Sequence, residues 1–391
     1  MMKMTDKLYY KDSMLFEFTA VVTEKYRDGS RWAVVTDSTA FFPTGGGQNY
    51  DEGLLGGCTV SEVVENGGTV IHYFDQEPDF SVGDEIKGTL DSELRFRRMQ
   101  SHTGEHIVSG IAHNLYGAEN VGFHMDGTLM TVDFDIVLSS AQIKRIEELA
   151  NECVYSDVPV SAEIYTPEEA EHLTYRSKKE FTSDIRIVTV EGIDSCACCA
   201  PHLKSTGQVG LIKILSCVSH RGGVRITLVC GKTAYEDYSI KHDNVLACAD
   251  LMKVKHAEIA SGIERLMAQI NDLKTVINEQ KRIICERIID SFTYSGGNAV
   301  FFVDNADMEE LRMLSLGAAD KFRTLAAVFC GNDENGYSYV ITCRGQIMNK
   351  FAKVFNFALN GRGGGRDEMI QGSFAAAREE IEKYFAEFEV N

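Results

Sequence analysis

The sequence predicts an α+β protein made of four successive parts. Short β-branched runs separated by turns occupy residues 1–90, and mixed helical and strand patterns follow over residues 91–235. A long apolar repeat covers residues 236–294, and strand-like and helical segments alternate over residues 295–391. Such changes of pattern are typical of separately folded units in a chain of 391 residues.

The first part, residues 1–90, is predicted to be a small all-β unit. Its runs AVVTDSTAFF, VSEVV and TVIHYF are rich in β-branched and aromatic side chains. Turns that contain glycine and aspartate separate these runs, as expected between short strands.

The second part, residues 91–235, combines helices with strands. Leu94, Ile107, Ile111 and Leu115 recur at helical spacing before Gly117, which predicts a helix that ends near this glycine. A strand (TLMTVDFDI), a helix (SSAQIKRIEELANECV) and a further helix that starts with the capping box TPEE are expected next. Strands are predicted for IRIVTV, VGLIKILSCV and VRITLVC.

The third part, residues 236–294, is predicted to be one long helix. Its apolar seam comprises Met252, Ile259, Ile263, Leu266, Ile270, Leu273, Ile277, Ile284 and Ile288. Such a seam has to be buried, and we favour a spacer that also helps the chain to form a homodimer.

The fourth part, residues 295–391, resembles a small α/β domain with strands at AVFFVD, TLAAVFC and YSYVITC. The net charge of −19 opposes indiscriminate binding of nucleic acid. One segment between Asn335 and Arg366 nevertheless contains no acidic residue. It carries the basic residues Arg344, Lys350, Lys353, Arg362 and Arg366, so we expect a local cationic surface.

Composition also indicates the compartment. The N-terminal MMKMTDKLYYKDS lacks the apolar core of a signal peptide, and no run reaches the length of a membrane helix. We therefore expect a cytoplasmic protein. Its 11 cysteines are then interpreted as reduced thiols or metal ligands.

Two pairs of side chains predict a zinc site. His102 and His106 lie four residues apart, and therefore on one face of the predicted helix. Cys198 and His202 have the same spacing in a loop between predicted strands, and a thiolate with imidazoles suits Zn²⁺. Cys196 and Cys199 are rival ligands on this reasoning.

The same residues allow a competing interpretation. HTGEH also fits the His-x-x-Glu-His pattern of inverted zinc peptidases, in which Glu105 is the general base. That pattern explains neither the Cys198/His202 pair nor the cationic C-terminal segment, so we discount it.

Together, HTGEH and CCAPH resemble the editing site of alanyl-tRNA synthetases and of the free-standing alanyl-tRNA editing proteins (AlaX type, long form). Further segments are similar to motifs of the same family: TAFFPTGGGQ with DEG, VGFHM with TVDFD, and GRGGGRDEMIQG near the end. The resemblance covers essentially the whole chain. One departure is CCAPH, where the family usually has Cys-Gly-Gly-Thr-His, and this change bears on substrate preference.

The resemblance implies a domain assignment. Residues 1–90 would form an N-terminal small β-barrel, and residues 91–235 a zinc editing domain. Residues 236–294 would be a helical spacer, and residues 295–391 a C-terminal DHH-associated domain for tRNA binding and dimerisation. It also selects Cys198 over its neighbours as the thiolate ligand.

The resemblance further implies an aminoacyl-tRNA deacylase that uses Zn²⁺ and acts on tRNA(Ala) mischarged with serine or glycine. Gln100, Thr103 and His124 are then candidates for holding the serine hydroxyl, the attacking water or the ribose. Arg344, Lys350, Lys353, Arg362, Gly363, Gly364, Gly365 and Arg366 are candidates for binding tRNA, with the glycines as a phosphate-contacting loop. Glycines 45–47 would form either a simple turn or a loop that approaches the acceptor end.

Two other function classes are compatible with parts of the sequence. A non-catalytic RNA-binding protein with a structural zinc would retain the metal and lack esterase activity. A phosphoesterase is suggested by the C-terminal motif, but no Asp-His-His triplet occurs in the chain.

Overall fold

A computed structural model describes residues 4–126, 129–177 and 183–389. The chain divides into two compact units, Met1–Leu246 and Ala247–Asn391. Both units contain helices and sheets, which confirms the α+β class. None of the described helices is long and apolar enough to cross a membrane.

The N-terminal region of the first unit is an all-β sheet, as predicted. A short helix, α1 (Leu8–Lys11), accompanies the strands β1 (Asp6–Lys7), β2 (Glu17–Asp28), β3 (Arg31–Thr36), β4 (Ser38–Thr39), β5 (Gly53–Leu55), β6 (Cys58–Thr59), β7 (Glu62–Asn66), β8 (Thr69–Phe74) and β9 (Glu85–Leu90). Seven strands form a sheet in the order β6-β5-β9-β2-β3-β8-β7. Phe18, Val34, Phe41 and Leu55 lie in its core.

This sheet is not the closed barrel that the resemblance implied. Within the described residues, β6 and β7 are the two edges of the sheet and do not pair with each other. The residues between them bond to different strands: the Val60 amide donates to the Gly53 carbonyl at 3.1 Å, and the Ser61 amide donates to the Tyr73 carbonyl at 2.8 Å. These two residues therefore form no turn that would bring β6 against β7.

Helix α2 (Ser92–Tyr116) begins and ends where the sequence predicts. Asp91 caps it by accepting a hydrogen bond from the Leu94 amide at 2.9 Å, and Gly117 ends it with φ of 66°. The buried Arg95 donates through Nε to both carboxylate oxygens of Asp51 at 2.9 Å, which fixes the helix against the N-terminal sheet. Residues 99–112 are buried throughout, so the helix passes through the core.

The remaining elements of the first unit also follow the predicted order. They are β10 (Asn120–Asp126), β11 (Leu129–Phe134), α3 (Ser140–Ser156), β12 (Val160–Tyr165), α4 (Pro167–Ala170), β13 (Ile185–Val190), β14 (Asp194–Ala197), β15 (Ile212–His220) and β16 (Gly223–Cys230). Two sheets result, in the orders β10-β11-β16-β15 and β12-β13-β14. The predicted capping box at Thr166 is present at the start of α4.

The second unit is built around a five-stranded sheet. Helix α5 (Gly231–Met252) precedes it in the chain. The elements that follow are α6 (Ile259–Ser291), β17 (Ala299–Val303), α7 (Met308–Phe322), β18 (Ala326–Asn332), β19 (Gly336–Thr342), α8 (Asn349–Ala358), β20 (Gly361–Arg366), β21 (Met369–Phe374) and α9 (Arg378–Glu387). The strand order is β17-β18-β19-β21-β20. The three strands predicted from the sequence are β17, at one edge, and its neighbours β18 and β19.

The single long helix predicted over residues 236–294 is wrong, because the structure has two helices there. Lys253 adopts a left-handed φ of 55° and ends α5. The Val254 amide donates to the Ala249 carbonyl at 3.1 Å, which is the closing bond of a Schellman motif. A 3-10 turn (His256–Glu258) then leads into α6.

Candidate metal centre

Four predicted ligands converge in the first unit. One potential ligand atom from each of His102, His106, Cys198 and His202 lies within 4.8 Å of the others. The first two side chains project from α2, and the second two from the loop after β14. The three imidazole centroids are 4.7 to 5.6 Å apart, and Cys198 Sγ is 3.5 Å from His102 Nε2.

Each histidine ring is oriented by a hydrogen bond at Nδ1. His102 Nδ1 is 3.0 Å from Gln48 Oε1, His106 Nδ1 is 2.9 Å from Asp194 Oδ2, and His202 Nδ1 is 2.7 Å from the Ala200 carbonyl. These contacts leave the Nε2 atoms for the cluster, as in metal sites where an outer acceptor fixes each ring. His202 Nε2 is buried and has no hydrogen-bond partner among the described residues. The donor set therefore fits a metal cation.

The protonation states of Cys198 and His202 also favour a cation. Burial raises the pKa of the Cys198 thiol, but the charge of His102 and the hydrogen bonds from both helix histidines hold that pKa well below 9.0. Burial lowers the pKa of His202 to about 3, so this ring is neutral. For His106, burial is outweighed by the hydrogen bond to Asp194, which raises the pKa well above 6.5. A metal would displace that proton.

Asp194 connects the cluster to a half-buried arginine, Arg176. Arg176 donates through Nε to Asp194 Oδ1 at 2.7 Å and through Nη2 to Oδ2 at 2.8 Å. Despite its burial, Asp194 keeps a pKa of about 2 because His106 and Arg176 stabilise its charged form. This arrangement fixes both the tautomer and the direction of the His106 ring.

The rival cysteines occupy different positions. Cys196 lies with His106 and Asp194 in a second group of close potential ligand atoms. Burial raises the pKa of the Cys196 and Cys199 thiols to about 11. The depressed pKa and the convergent position both distinguish Cys198 from its neighbours as the candidate thiolate ligand.

The cluster borders a cavity of about 930 Å³ in the first unit. Basic side chains on its wall include Lys7, Arg176 and Arg186, and acidic ones include Glu65 and Glu105. Arg186 donates through Nη1 to the carbonyls of residues 198 and 200 at 2.9 and 2.8 Å, and thereby shapes the ligand loop. The cavity has room for a small polar group next to the four ligands.

The three residues predicted to act in catalysis do not face the cavity beside the cluster. Gln100 donates to the Gln208 carbonyl at 3.1 Å and accepts from the Lys232 amide at 3.2 Å. Thr103 is fully buried, and its hydroxyl accepts from the Leu203 amide at 3.2 Å. His124 is exposed on β10. None of the three lines the cavity described above.

Several residues at the site were not selected from the sequence. Gln48, in the quoted motif TAFFPTGGGQ, follows a turn closed by two 3.0 Å hydrogen bonds between Gly45 and Gln48. Gly47 has φ of 82°, and a Cβ there would lie 2.5 Å from Phe123, whose ring in turn packs against His102. Glycines 45–47 thus form a turn that positions Gln48. Asp194 belongs to no local sequence motif that would have indicated its contact with His106.

The predicted tRNA-binding residues lie in the second unit, and their segment is not a loop. Gly361–Arg366 forms the edge strand β20, paired antiparallel with β21. A Cβ at Gly363 would lie 2.4 Å from the Gln371 carbonyl, and one at Gly365 would lie 2.1 Å from the Met369 carbonyl. The glycines therefore permit close pairing of the two strands.

Among the basic residues of this segment, exposure and pairing differ. Arg344 donates to both Asp320 oxygens at 2.7 and 2.8 Å and to Glu368 at 3.1 Å, so its charge is compensated. Lys350 lies 4.6 Å from the centroid of the Phe351 ring. Exposed positions are taken by Lys353, Arg362 and Arg366.

With this geometry established, comparison with known proteins gives the class. The profile described as "Threonyl and Alanyl tRNA synthetase second additional domain" matches residues 185–227, which include Cys198 and His202. The profile described as "tRNA synthetases class II (A)" matches residues 2–94. Residues 185–227 of the first unit, which contribute two of the four convergent side chains, thus resemble the second additional domain of threonyl- and alanyl-tRNA synthetases.

The particular similarity is to an alanyl-tRNA editing protein of the long type. The chain is 28% identical to the alanyl-tRNA editing protein AlaX-L of Pyrococcus horikoshii over 395 residues, 97% of this chain and 96% of that protein. The resemblance predicted from the sequence is confirmed.

Alanine–tRNA ligases are also similar. The Methanococcus maripaludis (strain C5) enzyme is 28% identical over 96% of this chain, and the Caldivirga maquilingensis enzyme is 31% identical over 95%. The chain spans 43% and 42% of these two ligases. The C-Ala domain of Aquifex aeolicus alanyl-tRNA synthetase aligns with 24% of this chain at 17% identity and a TM-score of 0.20, which is too low to support an argument.

Proposed function

We propose that the protein is a zinc-dependent trans-editing hydrolase that deacylates tRNA(Ala) mischarged with serine or glycine. The main observation in favour is the convergence of His102, His106, Cys198 and His202 beside a cavity. The similarity to an alanyl-tRNA editing protein over nearly the whole chain supports the same activity.

Zn²⁺ is the proposed metal because one thiolate and three imidazoles form a borderline-soft donor set. When bound, it would supply Lewis acidity to the ester carbonyl or to a water molecule. The chain's own contribution is to fix the three rings through Gln48, Asp194 and the Ala200 carbonyl, and to enclose the reacting ester in the cavity.

The proposed reaction is ester hydrolysis. Water adds to the carbonyl carbon, the bond from that carbon to the ribose oxygen breaks, and the products are the free amino acid and a ribose hydroxyl. Such a second site is useful because a pocket that accepts alanine excludes neither glycine nor serine efficiently.

The roles of Gln100, Thr103 and His124 in catalysis remain predictions, and the contacts of the first two favour positioning. Thr103 holds the Leu203 amide, and therefore fixes the backbone beside the ligand His202. Gln100 holds the start of α5 through the Lys232 amide.

The decisive experiment compares hydrolysis of seryl-tRNA(Ala) and alanyl-tRNA(Ala) by the wild type, chelator-treated protein and the variants Cys198→Ala and Cys217→Ala. Cys217 is exposed on β15 and serves as the matched control. We expect selective deacylation of the seryl ester, lost together with zinc after chelation or in Cys198→Ala and retained in Cys217→Ala. A zinc-loaded protein without activity would instead support the alternative function, a non-catalytic RNA-binding protein with a structural zinc.

We further propose that the second unit contributes to tRNA binding through Lys353, Arg362 and Arg366, together with the glycines between the two arginines. Both arginines are exposed on one edge strand, four residues apart and so on the same face of it. Arg362→Ala/Arg366→Ala should weaken tRNA binding and flatten its dependence on salt, whereas Arg344→Ala should change both less because Asp320 and Glu368 already compensate its charge. Equal effects would argue against this surface. Filter binding over a salt series measures the difference.

We also propose a homodimer in which α6 contacts its equivalent in a second copy. Its apolar residues Ile263, Leu266, Ile270, Leu273 and Ile277 are between 44% and 61% exposed in the single chain. Within the described chain, α6 is covered at Gly262 near its start and at its end, where Cys285 and Ile289 pack with Leu311 and Leu314 of α7. Exposed apolar area of this kind is typical of an interaction surface.

The structure divides into two compact units, and the division into four domains that the sequence predicts stays a proposal.

A further inference from the structure

Glu105 is a buried carboxylate at the edge of the metal cluster, and the proposed mechanism does not use it. Its side chain projects from α2 between the two helix histidines and is 5% exposed. Oε1 accepts hydrogen bonds from Ser109 Oγ and Asn120 Nδ2, both at 2.5 Å. Both donors are uncharged, so the carboxylate receives no cationic partner from them.

The other oxygen of Glu105 faces the cluster. Oε2 lies 4.0 Å from His106 Nε2, the atom that points to the shared centre of the four ligands. None of the described residues donates a hydrogen bond to Oε2, and Glu105 lines the 930 Å³ cavity. A largely buried carboxylate that presents one oxygen to a cavity indicates a ligand that donates hydrogen bonds or carries positive charge.

We propose that Glu105 binds the α-ammonium group of the aminoacyl ester and thereby selects esters of free amino acids. This inference rests on the proposed function and names a recognition element of that same site. Ionic hydrogen bonds to a buried carboxylate are strong, and an ammonium ion can donate one to Oε2 while its ester lies in the cavity.

The charges around the cavity favour this assignment. Glu65 is paired with Lys7 at 2.5 Å, and Glu119 is exposed and paired with His113 at 2.9 Å. Asp184, which also lines the wall, is exposed, so Glu105 is the buried acidic side chain of this wall in the described part of the chain. Arg176 and Arg186 lie on the same wall, but Arg176 is paired with Asp194 at 2.7 and 2.8 Å and Arg186 donates to the carbonyls of residues 198 and 200, so neither donates a hydrogen bond to Glu105.

Covalent geometry is compatible with both ends of the substrate being held. In an amino acid the α-nitrogen lies about 2.5 Å from the carbonyl carbon, because two bonds of about 1.5 Å meet at about 111°. A site for the ammonium group therefore has to adjoin the site for the ester. Glu105 meets this requirement because its free oxygen borders the four-ligand cluster.

The test compares two substrates on the zinc-loaded full-length protein. One is seryl-tRNA(Ala), and the other is 3-hydroxypropanoyl-tRNA(Ala), which differs by lacking the α-ammonium group. Each kcat/KM is divided by the rate of spontaneous hydrolysis, because the ammonium group itself activates the ester. We expect the wild type to prefer the seryl ester by about 10- to 100-fold, the range of a charged hydrogen bond.

Variants then assign the preference to Glu105. Glu105→Gln should reduce the preference to less than about threefold at unchanged zinc content, and Glu119→Gln, the matched carboxylate control, should keep it. Glu105→Asp, which retains the charge but shortens the side chain, is measured alongside and should lower the preference as well. A preference that persists in Glu105→Gln, or in Glu105→Asp if the amide variant does not fold, would overturn the assignment.

The wild type alone can also overturn it. Equal normalised rates on the two esters would show that the ammonium group is not recognised, while the editing function would stand. No hydrolysis of either ester by zinc-loaded protein would overturn the editing function, and this inference with it.

Discussion

Replacing Asp194 by alanine separates the orientation of a metal ligand from the stability of the fold. Asp194 accepts from His106 Nδ1 at 2.9 Å and from Arg176 at 2.7 and 2.8 Å, and its side chain is 2% exposed. The substitution removes the acceptor that fixes the ring of a proposed ligand, His106, and, at the same time, the partner of the half-buried guanidinium group of Arg176.

Two effects of different size are expected. Loss of an outer-shell acceptor typically weakens metal affinity by about 10- to 100-fold. Breaking a buried ion pair by removing one partner costs about 3–5 kcal/mol of unfolding free energy, because the other charge is left uncompensated. Since the Arg176 side chain is 14% exposed, we expect a loss near the lower end, about 3 kcal/mol.

The double variant Arg176→Ala/Asp194→Ala distinguishes the effects. It removes both charges, so it should recover much of the unfolding free energy but none of the zinc affinity. Zinc affinity is measured by competition with a chromophoric chelator, and stability by denaturant unfolding of the metal-free protein. Asp133→Ala is the matched control: Asp133 accepts from Arg225 at 2.6 and 2.7 Å in the first unit but contacts no ligand of the cluster.

The reasoning fails if zinc affinity recovers along with stability in the double variant. Zinc binding would then follow the integrity of the fold rather than the His106 hydrogen bond. It also fails if Asp133→Ala weakens zinc binding as much as Asp194→Ala does.

Three further predictions concern acid stability, assembly and the second oriented ring. Burial lowers the pKa of His72 to about 4, so its stabilising contribution is present above its unfolded pKa of 6.5 and is lost as pH falls towards 4. Between about pH 7.5 and about pH 4.5, the wild type should therefore lose about 2.5 kcal/mol more unfolding free energy than His72→Gln. Denaturant unfolding measures this, and equal losses would contradict it. Leu266→Glu/Leu273→Glu places charges at positions 50% and 61% exposed on α6 and should give a monomer in sedimentation equilibrium; an unchanged mass would exclude α6 as the dimer contact. Gln48→Ala removes the neutral acceptor at His102 Nδ1 and should weaken zinc binding by about tenfold, which is less than the effect of Asp194→Ala. The same chelator competition measures both variants, and a larger loss in Gln48→Ala than in Asp194→Ala would contradict this order.

Elements with local signals could be predicted from the sequence. Helix α2 has an Asp cap, a helical repeat and a terminal glycine, and the structure places its ends beside those residues. The break after α5 has no such signal: Lys253 takes the left-handed conformation that glycine usually supplies, so the apolar repeat continues across it unmarked. The error on the N-terminal sheet has another origin, because closure depends on pairing between distant edges, which strand patterns do not encode.

The cluster of four potential metal ligands was predictable because both pairs have a four-residue spacing. Their supporting acceptors were not, since Gln48 and Asp194 come from other parts of the chain and meet α2 through tertiary packing. The cationic segment shows the same limit. Arg344 belongs to a run without acidic residues, yet its partners Asp320 and Glu368 lie outside that run and compensate its charge.

The choice of catalytic candidates on α2 illustrates how periodicity restricts function. At about 100° per residue, positions 102, 105, 106 and 109 share one face of a helix, and the structure places His102, Glu105 and His106 on the cavity wall. Thr103 is rotated about 100° from His102 and Gln100 about 200°, so both meet other elements of the first unit. If His102 and His106 bind the metal, the face of α2 that carries them faces the substrate, and any other residue of α2 that contacts the substrate has to lie on this face. Glu105 satisfies this condition, whereas the residues suggested by neighbourhood in sequence do not.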